Sequence, residues 1–294
     1  MTNGLDGTPS SGKQSAIRVR NLRFGRESAS ERPVERWWAG GDPIATAWFN
    51  ALSSTFPRGE TLFIDSVKAF RGGAPPALAE KIRAFIMQEV NHTREHLAFN
   101  RAAEAAGYDL AGIDARVERL VGEVYAHPQI AWLGVTVALE HFTAMFAHEF
   151  LSAERRYALG EGEQAALWRW HAAEEIEHKG VAFDTWSHAT RGWSGGKRWR
   201  LRSTLMLATT RKFLKNRFAD ALELLAQDGI TGARAKARLA WYLVGRPGIL
   251  RRTLPMWLSY FRPGFHPWQH DDSALVRLYD GKAAALAAEP ALAR

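Results

Sequence analysis

The stretch His171-Ala-Ala-Glu-Glu-Ile-Glu-His178 decides how the chain is read. At 3.6 residues per turn, His171, Glu175 and His178 project from one stripe of a helix. Continued in both directions, that stripe runs Trp168, His171, Glu175, His178, Ala182. Two imidazoles and a carboxylate therefore occupy positions where an apolar seam belongs. Burying such groups without partners is costly, and a metal ion is the usual compensation. The competing reading is a charged, solvated helix face, because Glu174 and Glu177 stand beside them.

Repetition shifts the balance toward a metal. Glu-x-x-His occurs again at Glu89 and His92, inside a second helical pattern, Ala77 to Ala106, whose seam is Phe85, Glu89, His92, His96, Phe99. Two further helical segments each carry a lone carboxylate in an apolar setting: Glu60 between Arg58 and Phe70, and Glu140 between Gln129 and Phe150. For Glu60, a first-turn carboxylate favouring the helix dipole is the plainer alternative. The order along the chain is Glu, Glu-x-x-His, Glu, Glu-x-x-His, the ligand plan of carboxylate-bridged di-metal four-helix bundles. The expected fold is all-α: a ferritin-like four-helix bundle with a di-metal site and additional C-terminal helices. His92 and Glu140 are 48 residues apart, which suits two helical hairpins joined by one long crossover.

The 294 residues, 46% of them hydrophobic, suffice for a sizeable core and one or two domains. Cysteine is absent. Disulfides, iron–sulfur clusters, thiolate zinc sites and cysteine nucleophiles are thereby excluded, and metal chemistry must use His and carboxylate. The first 20 residues are polar and have no apolar run of the secretory type, so residues 1–35 are expected to form a disordered or extended leader on a cytoplasmic protein. Residues 36–191 are expected to hold the bundle, and residues 192–294 a basic, Trp-rich helical extension packed on it. The net charge of +8 is uneven: residues 191–294 carry 19 Lys/Arg against 7 Asp/Glu, and residues 1–190 carry 20 against 24. A basic C-terminal third suits anionic lipid at the inner membrane face or an acidic partner, and an ordinary solvated surface explains it equally. No nucleic-acid motif accompanies it, so nucleic acid is not an expected partner.

Along the chain, Ile17 to Phe24 alternates like an extended arm, and Asp42-Pro43 reads as an N-cap and first-turn proline opening a helix over Ile44 to Leu52. The Glu60 helix stops at Gly72-Gly73, and the Glu89 helix closes at Gly107. A short helix is expected from Ile113 to Tyr125. Pro128 to Phe150 is apolar enough to suggest a membrane span, but Glu140, His141, His148 and Glu149 argue for a helix buried in protein, with the seam Leu133, Val137, Glu140, Ala144, Ala147. The helix bearing His171 is expected to persist to about Thr190. Beyond Gly192, Gly195 and Gly196 come a long basic helix, about Arg198 to Gln227, and two or three shorter ones. Trp241, Trp257, Tyr260, Phe261, Phe265 and Trp268 suit either an interfacial membrane surface or packing against the bundle or a second subunit, the latter being favoured. The segment Phe265 to Asp272, with His266 and His270, is dense in ligand-type residues but reads as a structural turn.

These residues resemble the ferritin-like di-iron superfamily, and two branches of it in particular. Phe56-Pro57-Arg58-Gly59-Glu60, Gln88-Glu89-x-x-His92, Glu174-Glu175-x-Glu177-His178-Lys179 and the late Pro263-Gly264-Phe265-His266-Pro267-Trp268 are similar to the bacterial family described as predicted metal-dependent hydrolases. The spacing of His171 before Glu175 resembles the third His of the arylamine N-oxygenases. The resemblance implies Glu60, Glu89, His92, Glu140, Glu175 and His178 as metal ligands, with His171 as a seventh and Glu89 and Glu175 as the bridging carboxylates. Glu174 rivals Glu175, but only Glu175 stands three residues before His178, which leaves Glu174 as a candidate support for a ligand. His96, one turn beyond His92, reads as an outer donor, a substrate contact or a hydrogen-bonded core histidine, and Asp65 and Asp184 are candidates for carboxylates that fix ligand imidazoles.

The chemistry expected first is that of an O2-dependent di-iron oxidoreductase of oxygenase, hydroxylase or N-oxygenase type. It would hold two iron ions, use O2 as co-substrate, act on a small or lipid-like molecule inside a wall of Phe85, Phe99, Trp168 and Leu133, and draw electrons from a separate reductase. The alternative is a hydrolase in which two Mn, Zn or Fe ions activate water with the same ligands. A third reading is a non-catalytic metal-binding bundle. A homodimer is compatible with each.

Overall fold

The computed structural model describes residues 17–24 and 35–288, and among them there is helix and no strand. Most of the expected leader therefore lies outside the described residues. Eleven α-helices are seen: α1 Pro43–Ser53, α2 Phe56–Ala69, α3 Pro76–Ala105, α4 Ala111–Tyr125, α5 Gln129–Ser152, α6 Glu163–His178, α7 Val181–Ala189, α8 Gly195–Gln227, α9 Gly232–Ala240, α10 Ile249–Ser259 and α11 Ser273–Ala288. Local chemistry sets their ends. Asp42 caps α1 by accepting the Ile44 N–H at 2.8 Å, with Pro43 in the first turn. Beyond α3 the chain turns through Gly107 at φ 92°, a left-handed conformation that glycine adopts without strain.

Helices α2 and α3 pack as one antiparallel pair and α5 and α6 as another, and the pairs meet through α2 on α5 and α3 on α6. Two apolar clusters flank their shared interior. One gathers Trp48, Phe49, Trp168, Trp170 and Leu224; the other gathers Phe63, Phe85, Leu133, Met145 and Trp186. α5 is long and apolar enough to cross a membrane by length and composition, yet 61% of its most apolar stretch is buried inside the protein. Its Leu133, Val137, Glu140, Ala144 and Ala147 are all buried, as the seam required.

The helix carrying His171 does not persist to Thr190: α6 ends at His178 and α7 starts at Val181. The reason lies far along the chain. A Cβ on Gly180 would stand 2.6 Å from Trp268 Nε1, so the break is where the late Phe265–Asp272 segment docks. Lys179 Nζ donates to Asp272 Oδ2 at 2.5 Å and to the His270 carbonyl at 2.6 Å, and lies over the Trp268 ring. His266 Nε2 pairs with Asp184 at 3.0 Å and His270 Nε2 with Ser259 Oγ at 3.1 Å, so both histidines serve this clamp. Tyr260, Phe265 and Trp268 are buried and Trp257 and Phe261 half-buried, leaving only Trp241 of the six aromatics well exposed, at 66%.

Candidate metal centre

The seven expected ligands arrive on four helices: Glu60 on α2, Glu89 and His92 on α3, Glu140 on α5, and His171, Glu175 and His178 on α6. None is more than 3% exposed. Glu89 stands between two imidazoles, with Oε2 3.7 Å from His92 Nδ1 and Oε1 3.5 Å from His178 Nε2. Glu175 Oε1 lies 3.6 Å from each of the same nitrogens and 3.1 Å from His171 Nε2. Donor atoms of Glu89, His92, Glu175 and His178 all fall within 4.8 Å of one another, and those of Glu60, His96 and His171 do likewise.

The outward atoms are held by the protein. His92 Nε2 is 3.1 Å from Glu174 Oε2 and His178 Nδ1 is 3.0 Å from Glu140 Oε2, which places a proton on each outer nitrogen and turns the inner nitrogen toward the cluster. For His171 the tautomer follows from a chain of partners. Ser53 Oγ donates to Asn100 Oδ1 at 2.7 Å, so it accepts from His96 Nδ1 at 2.9 Å. His96 Nε2 must then accept from His171 Nδ1 at 3.0 Å, leaving His171 Nε2 as a free acceptor. Thr93 Oγ1 donates to the outer oxygen of Glu60 at 2.9 Å.

The inward atoms have no such partner. Glu60 Oε1, both oxygens of Glu89, His92 Nδ1, Glu140 Oε1, His171 Nε2, Glu175 Oε2 and His178 Nε2 are buried with no hydrogen bond. An orphaned buried polar group costs about 1–3 kcal/mol and a charged one more, so eight in one place demand a common partner. Carboxylate oxygens and imidazole nitrogens facing one another at these distances fit divalent cations.

The electrostatics agree. Burial, then the charge of Glu89, pushes Glu60 well above the usual carboxyl range, and burial raises Glu89 as well. Burial drives Glu140 up to about 8 despite the nearby His178. Glu175 goes the other way: burial opposes its charge, but the adjacent His178 and His171 hold it well below the usual range. Burial lowers His171 to about 4 and, with the charges of His171 and His92, takes His96 well below its ordinary value. His92 is raised to about 10, because the hydrogen bond to Glu174 and the charge of Glu89 outweigh its burial. Carboxylates crowded this way need positive charge among them.

Several placements differ from the sequence reading. Glu174 is not one of these: it stands outside the donor set, as expected, and takes His92 Nε2 on one side and Arg20 on the other. Asp65 accepts from Tyr125 and Asp184 pairs with His266, so neither fixes a ligand imidazole. A cavity of about 340 Å³ reaches the cluster at His171 and Glu175; of the four expected wall residues only Trp168 lines it, joined by Phe49, Phe56 and Phe142, while Phe85, Phe99 and Leu133 are spent on core packing. Sequence reasoning also missed Arg20. Its guanidinium donates to both oxygens of Glu177 at 2.7 and 3.0 Å and lies 3.4 Å from Glu174, and its backbone N–H donates to Glu174 at 3.0 Å. The alternating Arg18-Val19-Arg20 pattern, and two spare glutamates flanking a metal motif, were the available signals.

Fold and cluster define a class: an all-helical protein with a buried His/Glu centre suited to metal. The chain belongs to the family described as predicted metal-dependent hydrolase, whose model matches residues 18–271. No match was found among curated proteins or solved structures. Membership overturns the expectation of an O2-dependent di-iron oxygenase in favour of the hydrolytic alternative; O2 as co-substrate and a separate reductase belonged to the overturned reading. The donor set is compatible with the correction, since hydrolytic metal centres need Lewis acidity and no electron source.

Proposed function

We propose that the protein is a di-metal hydrolase built on a ferritin-like bundle of α2, α3, α5 and α6. Glu60, Glu89, His92, Glu140, His171, Glu175 and His178 would hold the metal, with Glu89 and Glu175, each close to both His92 and His178, at the middle of the set. The observation that carries this reading is the group of buried, unpartnered donor atoms contributed by those seven side chains. Four carboxylates balance the charge of two divalent cations, and manganese or zinc suits mixed oxygen and nitrogen donors. Bound there, such ions supply Lewis acidity, lowering the pKa of water and polarising the bond it attacks.

The chain's own residues supply the rest. Glu174 and the Ser53–His96 relay hold His92 and His171 with their inner nitrogens turned toward the cluster. Trp168 and Phe56 close the cavity wall beside His171 and keep bulk water from the cluster. The test is metal content per chain after reconstitution with Mn or Zn, with ester hydrolysis measured on the same samples. About two ions per chain are expected, with hydrolysis that depends on them. Glu140→Ala and His178→Ala should lose metal while staying helical; unchanged metal content in both refutes the ligand set, and full metal without hydrolysis refutes the activity.

A further inference from the structure

The cavity that reaches His171 and Glu175 has a shape and chemistry of its own. Its volume of about 340 Å³ is that of a small-molecule site. α5 lines it with Ala131, Val135, Leu139, Phe142, Phe146 and Phe150, a stripe of steps of three and four residues. At 1.5 Å per residue that stripe extends about 28 Å, so the cavity is long and narrow, running beside the helix. α4 and α8 close the other side with apolar residues such as Val117, Val124, Leu205 and Phe213.

The two Lys and Arg side chains of the lining are already paired. Lys212 Nζ reaches Glu123 Oε2 at 2.6 Å, joining exposed positions of α8 and α4. Arg217, the other Lys or Arg in the lining, is buried against Asp220 at 2.5 Å and donates to the Ala51 carbonyl. A phosphate or other anionic group would enter this space without a free counter-charge. An uncharged, extended aliphatic chain meets apolar side chains along the whole length and arrives at the metal-type residues through one wall.

We infer that the cavity holds the aliphatic chain of an acyl substrate, an ester or amide of a long-chain fatty acid, with the carbonyl placed at His171 and Glu175. The inference rests on the hydrolytic reading above and names its substrate class. In the reaction, the oxygen of water bonds to the acyl carbon while the bond from that carbon to the alcohol oxygen or amine nitrogen breaks. The leaving group takes up one proton, the products are a fatty acid and an alcohol or amine, and no oxidation state changes.

The experiment separates the cavity from the chemistry. Binding of uncharged n-alkanols from octanol to tetradecanol, which fill the chain site and cannot be cleaved, is measured on the metal-loaded protein by calorimetry. The association constant is expected to rise about fourfold per added methylene, as for full burial of each group. Ala208→Trp, at an exposed position in the lining, and Ala131→Trp, at a half-buried one, should each weaken tetradecanol binding at least tenfold while metal content stays unchanged. Affinity independent of chain length, no binding, or full binding in both variants overturns the inference. Metal-loaded protein is then assayed on acetyl and dodecanoyl esters of one alcohol. Faster cleavage of the dodecanoyl ester supports the assignment, and equal cleavage overturns it while sparing the hydrolytic reading. Chain-length-dependent binding with no cleavage of either ester overturns the hydrolytic reading and the acyl chemistry with it.

Discussion

The two Glu-x-x-His motifs are alike in sequence and differ in what stands behind them. His92 is backed by Glu174, which is backed in turn by Arg20 from a segment some 150 residues earlier, so an ion network outside the donor set fixes it. His178 is backed by Glu140, itself one of the seven proposed ligands. The first imidazole is therefore oriented whether or not a metal is present. The second is held by a group that must share itself with the metal, and its fixation is linked to loading.

Glu175 lies between both imidazoles, and its loss is expected to disturb both alike. Glu175→Ala is expected to abolish stoichiometric metal binding at both motifs, as read by metal analysis after desalting; one retained equivalent would show that the motifs bind independently. Next is Arg20→Ala, which leaves Glu174 and Glu177 buried without their cation. Loss of one partner of such a pair costs about 3 kcal/mol, a lowered denaturation midpoint in urea. A loss under about 1 kcal/mol would mean that the arm is not a brace. Glu174→Gln keeps the shape and removes the charge behind His92, so metal affinity should fall about 10–100-fold with little change in helicity. Asp65→Asn and Asp184→Asn should leave metal affinity within about twofold and shift stability by about 1 kcal/mol at most, because they pair with Tyr125 and His266. A tenfold loss of metal in either would move it into the ligand surroundings.

Helix existence and the register of the buried His/Glu stripe were legible because both are local. Pro43, Gly107 and the 3.6-residue stripe locate helices without knowledge of tertiary contacts, and three-residue spacing to His178 separates Glu175 from Glu174. What depends on distant partners was not legible. The break after His178 needs Trp268; the tautomer of His171 needs Ser53 and Asn100; the role of Glu174 needs Arg20. Aromatic residues on a seam do not reveal which cavity they line: Phe85 packs against the His178 ring, and neither it nor Leu133 reaches the cavity. The donor set does not discriminate oxygen chemistry from hydrolysis either, since both use carboxylate and imidazole on two divalent ions.

The docking of Phe265–Asp272 on the α6–α7 break bears on how the protein is made. The last proposed ligand, His178, is followed at once by Lys179, whose ammonium is neutralised by Asp272, and the arm that steadies Glu174 is among the first described residues. A nascent chain that has already delivered all seven proposed ligands to the ribosome exit still lacks the clamp that ends α6. Metal is thus expected to be acquired only after the chain has emerged as far as Asp272, some 94 residues beyond His178.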